Sequence, residues 1–309
     1  MLHHKARVHV VIGKGGVGKT VVSSAMAMAL AAEGQKVLLA EVNAHDRVAA
    51  LLGAPPVGAH MREVLENLWV VDMNPTDSIH EYALMTIRFE AIYKAVFENK
   101  MIRSFIRFIP SLGEMVMLGK LWFHEQEQEN GKPKYDAIII DAPATGHGIS
   151  MLRTPSSIEK IVPAGIMRDH ARSMRLMLTD PKKTRLHIVT LPEEMPVNEA
   201  RELEAAAKNV LNMAIGTTFI NQHVPELPPD ALSKLAQAKG QSVLEAANET
   251  LSIREAKRRA GIEHLERLPG RLLSDLFTIN RIVGPGLSRQ QISEIAQGMR
   301  EARSKGASS

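Results

Sequence analysis

The chain has 309 residues, 45% of them hydrophobic and 23% charged, an ordinary globular composition with enough length for a large core. A formal charge of +4 suits contact with a compact polyanion and is too small to argue for nucleic acid. Cysteine is absent, which excludes disulfides, thiolate metal sites and a cysteine nucleophile. No run reaches the apolar length of a membrane span and residues 1–5 lack the apolar stretch of a secretion signal, so the cytoplasm is the expected location.

Residues 8–12 read as a short buried strand. The next eight residues, Gly13, Lys14, Gly15, Gly16, Val17, Gly18, Lys19 and Thr20, fit the phosphate-binding pattern G-x-x-x-x-G-K-[ST]. Residues 20–32 then read as a helix stopped at Gly34. Strand, glycine loop and helix together are the context this pattern needs. Glycines let backbone N–H groups close on phosphate oxygens, and the helix N-terminus adds positive potential. Lys19 is placed to reach the β- and γ-phosphates, and Thr20 to offer its hydroxyl to Mg2+. The competing reading, a glycine-rich turn without a ligand, has that context against it.

Further strands are expected at 36–42, 68–73, 135–141, 185–191, 216–221 and 264–268, the last stopped by Pro269-Gly270. Between them, 77–127 and 156–178 show helical spacing, the latter broken near Pro163, and 198–212 reads as a helix. Residues 128–134 read as a loop. A basic helical segment carries Arg254, Lys257, Arg258 and Arg259, and Ser288 with Gln291 forms a capping box for a final helix. Strands alternating with helices imply an α/β fold of the P-loop NTPase kind: a mostly parallel sheet covered by helices, with a helical subdomain. The expected organisation is one domain over 1–309, its helical subdomain formed by about 77–127 and 148–180. Ligands of such sheets bind at the C-terminal strand ends, where the glycine loop, Asn43, Asp141 and Asn221 fall.

Gly13 to Thr20, with its second lysine Lys14, matches the deviant Walker A loop of the ArsA, MinD and ParA ATPases. Asp141-Ala142-Pro143-Ala144-Thr145-Gly146-His147 resembles the D-T-A-P-T-G-H signature of the ArsA branch. Phe219-Ile220-Asn221-Gln222 is similar to its adenine-contacting element, and the segment from Leu191 to Glu199 to its Pro-Glu segment. The resemblance runs in order along nearly the whole chain, at the length of a single unit. It implies an ATPase using ATP and Mg2+. Lys19 and the amides of Gly15 to Thr20 would hold phosphates, and Thr20 would bind Mg2+ with Asp141 behind it through water. Lys14 would reach the phosphates of a partner in a homodimer, or a heterodimer with a related chain. Asn221 would read adenine, with Pro269 a weaker candidate. Each has a plainer reading: a strand-end acid for Asp141, a turn residue for Asn221, a solvated loop lysine for Lys14. His147 is expected to be a structural hydrogen-bonding histidine.

The chain departs from the branch at switch I, where Asn43 takes the place of the water-positioning aspartate. An amide orients water but is a poor proton acceptor, and general-base effects are worth about 10²–10⁴-fold, so hydrolysis should be slow or partner-dependent. Glu41 and Asp46 are the nearby carboxylates. Without cysteine, neither thiolate capture of arsenite nor the zinc clamp of the branch's tail-anchored-protein targeting ATPase is possible.

Met85, Met101, Met115, Met117, Met151, Met167, Met174 and Met177 gather in or beside the helical region, with Ile102, Phe105, Ile106, Phe108 and Ile109. They either fill a core or line a groove for a hydrophobic protein client. Two alternatives stand beside the ATPase switch: a nucleotide-dependent scaffold with little turnover, and a ParA-like positioning ATPase using the basic helix. The final helix, with Ile292, Ile295 and Met299 on one face, lacks the pattern of a membrane-surface helix.

Overall fold

The computed structural model describes residues 6–42, 46–75, 78, 112–228, 230, 233–234, 237, 241–284 and 286–307. The elements that build the site come early: β1 (Val8–Gly13), α1 (Lys19–Ala31), β2 (Val37–Val42), α2 (Arg47–Leu51), β3 (Arg62–Leu65) and β4 (Leu68–Met73). Then follow α3 (Leu112–Gln126), the hairpin strands β5 (Gln128–Glu129) and β6 (Lys132–Pro133), β7 (Ala137–Asp141), α4 (Thr145–Ile161) and α5 (Ile166–Thr179). The remainder is β8 (Thr184–Thr190), α6 (Glu194–Ala206) with a wide turn over Ala207–Leu211, β9 (Ile215–His223), α7 (Gln241–Leu265), α8 (Gly270–Leu273), β10 (Leu276–Asn280) and α9 (Arg289–Ala307).

Eight strands form one sheet in the order β10-β9-β8-β1-β7-β2-β4-β3. Every pairing is parallel except the edge pair β3–β4. Parallel strands need both faces covered, and the alternation along the strands divides the core accordingly. Val8, Val10, Ile12, Ile138 and Ile140 pack with α3, α4, α5 and α6 on one face. Val11, Leu39 and Ile139 pack with α1 and α9 on the other. Phe219 and Ile279 from the β9–β10 side join this second cluster.

Several expectations need correction. Residues 264–268 are the end of α7 and the turn after it, not a strand. Leu265 and Leu268 are three apart, a helical spacing, and Glu255 pairs with Arg258 and Arg259 one turn on, as helix charges do. The last strand is β10, whose outer face is exposed because it is a sheet edge. The 128–134 loop is a hairpin around Asn130-Gly131, both at positive φ, as its tight turn requires. Strand β3 was not foreseen. Helix α4 starts at Thr145, eleven residues ahead of the expected 156. Gly146, Gly148 and Pro155 argue against helix in the sequence, yet a Cβ at Gly148 would lie 2.9 Å from Ile12 Cδ1 and from the Pro143 carbonyl. The glycine is there so that α4 can lie on β1.

The expected helical stretch over 77–127 is described only from Leu112, and Met85, Met101, Ile102, Phe105, Ile106, Phe108 and Ile109 lie outside the described residues. Met115, Met117, Met151, Met174 and Met177 are buried in the core, while Met167 is exposed. The apolar face of α9 (Ile292, Ile295, Met299) is buried in the cluster that contains α1. Among the described residues no helix is long and apolar enough to cross a membrane.

Candidate functional site

The glycine loop leaves β1 at Gly13 and enters α1 at Lys19. Gly18 caps the helix in the left-handed region, φ 90°, and Gly16 is at φ 85°. Gly18 is also pressed from outside: a Cβ there would sit 2.2 Å from Asn221 Nδ2. The Asn221 amide comes from β9 and donates to the Val17 carbonyl at 2.8 Å, while its Oδ1 accepts from the Gln222 amide at 2.9 Å. Asn221 therefore fixes the outer limb of the loop.

Inside the loop, Lys19 Nζ donates to the carbonyls of Gly13 (3.2 Å) and Lys14 (3.1 Å). Burial lowers the Lys19 pKa, and Asp141 opposes that shift. Thr20 Oγ1 donates to Asp141 Oδ2 at 2.7 Å, and Ser23 Oγ to Asp141 Oδ1 at 3.0 Å. Burial pushes the Asp141 carboxyl up, against the two hydroxyls and the charges of Lys19 and Arg47. A buried carboxylate with a threonine hydroxyl beside it is the hard oxygen donor set that suits Mg2+, which binds few protein ligands and keeps waters and phosphate oxygens for the rest. The residues fit the ion. Ser23 is a partner the sequence reading missed; it lies one helical turn beyond Lys19 and is fully buried.

A cleft of 480 Å³ opens over this loop. Gly15, Gly16, Gly18, Lys19 and Thr20 form one wall, and Asp141 to Ala144, His147 and Met151 another. Val42 and Arg47 close it from β2 and α2, and Glu114 and Met117 reach it from α3. His147 is exposed on the cleft, and its side chain makes no hydrogen bond among the described residues. Pro269 precedes α8, where its carbonyl accepts from the Leu272 amide at 2.8 Å, and it is not among the cleft's lining residues.

Lys14 is neither free nor in the cleft. Its Nζ lies 3.4 Å from Glu199 Oε1 on α6, while Glu199 Oε2 accepts from Thr145 Oγ1 at 3.1 Å. One carboxylate thus ties the loop lysine to the first residue of α4. Asn43 lies outside the described residues. The carboxylates on either side of it are already engaged. Glu41, wholly buried, accepts from the amides of Arg47 (2.9 Å) and Val48 (3.2 Å). Asp46 Oδ1 accepts from the amides of Val57 (2.8 Å) and Gly58 (2.9 Å).

The basic residues of α7 are engaged too. Arg258 and Arg259 pair with Glu255, Lys257 pairs with Glu193, and Arg254 donates to the Pro225 carbonyl.

A parallel sheet with a phosphate loop after β1, a Thr-Asp pair at its foot and a cleft above defines a P-loop nucleotide-hydrolase fold. Residues 6–170 match the family model described as anion-transporting ATPase. The chain is 30% identical over 244 residues to ATPase BagA of Mycobacterium tuberculosis, covering 75% of this chain and 70% of that protein. It is 24% identical over 250 residues to a putative arsenical pump-driving ATPase 2 of Aquifex aeolicus, covering 72% and 82%. It is 28% identical over 159 residues to ATPase GET3 of Kluyveromyces lactis, covering 48% and 45%. The chain belongs to the anion-transporting (ArsA) ATPase family, and it is an ATPase.

Proposed function

We propose that the chain is a nucleotide-driven switch: it binds MgATP in the cleft over Gly13–Thr20, dimerises around it and hydrolyses it slowly. The observation that carries this reading is the convergence of Lys19, Thr20 and Asp141 on one cleft that α3 and α4 also line. In this reading the amides of Gly15 to Thr20 and the Lys19 ammonium hold phosphates, and Thr20 with Asp141 holds Mg2+, which neutralises charge on the phosphate oxygens. Lys19 gives up its two loop carbonyls for phosphate oxygens. Asn221 stands on the base side of the loop, with Pro269 the weaker candidate there.

Lys14 serves the partner subunit's nucleotide, which requires it to leave Glu199. That exchange also frees Thr145, so dimerisation and movement at the head of α4 are coupled through one carboxylate. Helices of the proposed helical subdomain, about 77–127 and 148–180, then shift with nucleotide state, because Glu114, Met117, His147 and Met151 line the same cleft. A hydrophobic protein client is the cargo such helices would hold. Turnover is slow without a partner because Asn43 is an amide and both neighbouring carboxylates already hold backbone amides. The place of work proposed is the cytoplasm.

The test is light-scattering mass with ADP, ATP and a non-hydrolysable ATP analogue, with phosphate release followed in the ATP samples. A dimer that tightens with ATP and releases phosphate is the expected result. Tightening without release would favour the scaffold reading. No nucleotide effect on mass would count against the homodimer and direct the search to a related partner chain.

A further inference from the structure

We propose that Arg47 is a ligand of the terminal phosphate of a bound nucleoside triphosphate, and the residue by which this chain distinguishes triphosphate from diphosphate. The inference rests on the nucleotide reading of the cleft and adds to it a residue that the glycine-loop motif does not contain.

Across the sheet, Asn221 on β9 lies at one side of the loop, β1 supplies the loop itself, and Asp141 ends β7 on the other side. The next strand outward is β2, and Arg47 follows it on α2. A nucleotide laid along this row, base towards β9 and β-phosphate in the loop, extends its terminal phosphate past Thr20 and Asp141 towards β2. Arg47 lines that end of the cleft.

The backbone of Arg47 is held hard while its side chain is not. Its amide donates to the buried Glu41 carboxylate, and the preceding residue, Asp46, is clamped to Val57 and Gly58. Asp46 itself sits in the left-handed region at φ 58°, a conformation that those two hydrogen bonds hold in place. The guanidinium is exposed, and among the described residues no carboxylate lies within ion-pair distance of it.

The Arg47 charge is felt at both Lys19 and Asp141, so it stands close to the metal-and-phosphate end of the cleft. Two cations facing one cleft repel each other, and a polyanion between them relieves that repulsion. The planar fork of arginine matches two oxygens of one phosphate, which a lysine cannot do.

The experiment is displacement of a fluorescent ADP from the full chain, in Mg2+, by unlabelled ADP and by a non-hydrolysable ATP analogue. Wild type, Arg47→Ala, Arg47→Lys and Lys19→Ala are compared. Arg47→Ala should weaken the ATP analogue by about 10- to 100-fold, the range for charge-assisted hydrogen bonds, and change ADP affinity by less than about 3-fold. Arg47→Lys should recover only part of the loss, and Lys19→Ala should weaken both nucleotides. An unchanged ratio in Arg47→Ala overturns the proposal while leaving the cleft a nucleotide site. Equal loss of both nucleotides in Arg47→Ala also overturns it, because Arg47 would then act on the loop as a whole. Failure of the wild type to bind either nucleotide sinks the nucleotide reading and this proposal together.

Discussion

Glu41 makes the stability of this protein fall as pH rises through the range below neutrality. Its carboxyl is wholly buried, and burial pushes it from the ordinary 4.5 to about 7. Asp141 and Asp72 push the same way, and the strand register explains why: Glu41 is paired with Asp72 on β4 and with Asp141 on β7. The amides of Val48 and Arg47 pull back only in part. The folded chain therefore holds a proton between pH 4.5 and about 7 that the unfolded chain has released. With more protons bound in the native state, the free energy of unfolding declines across that window, by about 3 kcal/mol for a shift of this size. Glu41→Gln keeps an acceptor for the backbone amides and removes the titration. Urea unfolding of both proteins between about pH 5 and pH 8, followed by Trp69 and Trp122 fluorescence, should show the wild-type curve falling relative to the variant by about that amount. Parallel curves would refute the reasoning, because every other titrating group is common to the two proteins.

Lys19→Ala should abolish nucleotide binding or its consequences, whereas Lys14→Ala should spare binding and lose turnover; equal loss of binding in both, read by nucleotide displacement, counts against a cross-dimer role. Gly18→Ala places a Cβ 2.2 Å from Asn221 Nδ2 at φ 90°, and should weaken nucleotide by about 100-fold or more in the same titration. An unaltered affinity would show that the loop can move aside. His187 Nδ1 accepts from the buried Thr217 amide at 3.0 Å, so its other nitrogen carries the hydrogen shared with His9. His187→Phe fills the space but removes that acceptor from the Thr217 amide, and should lower the unfolding free energy by about 1–3 kcal/mol. A urea midpoint within error of the wild type would sink that assignment.

Much of this architecture was readable because its signals are local and repeated. The phosphate loop is eight consecutive residues between a strand and a helix, and apolar runs such as 137–141 admit few alternatives in a two-sided sheet. The Ser288–Gln291 capping box is present as read, with the Ser288 amide donating to Gln291 Oε1 at 2.8 Å. What escaped depends on neighbours distant in sequence. Helix α4 begins among glycines because β1 needs close approach. Ser23 joins the site because a buried aspartate 118 residues away needs a second donor. Arg47 carries no motif; its place follows from the order of strands, which alternation of strands and helices does not specify. Glu41 looked like a spare carboxylate, and only the fold shows both its oxygens holding the start of α2. Edge strands β3 and β10 were missed or misplaced because exposure on one side dilutes the apolar pattern.

The packing of α9 against α1 has a consequence for biosynthesis. The helix that carries the phosphate loop is covered by residues translated much later: Arg303 pairs with Glu33 across 270 positions, and Ile292, Ile295 and Met299 seal the same cluster. Burying three such side chains supplies roughly 1.5–3 kcal/mol each. At about 5–20 residues per second, the ribosome needs roughly 14–54 s to cover that interval. For that time the side of α1 that meets α9 in the folded protein lacks that cover, while its contacts with β1, β2 and α2 lie close in sequence.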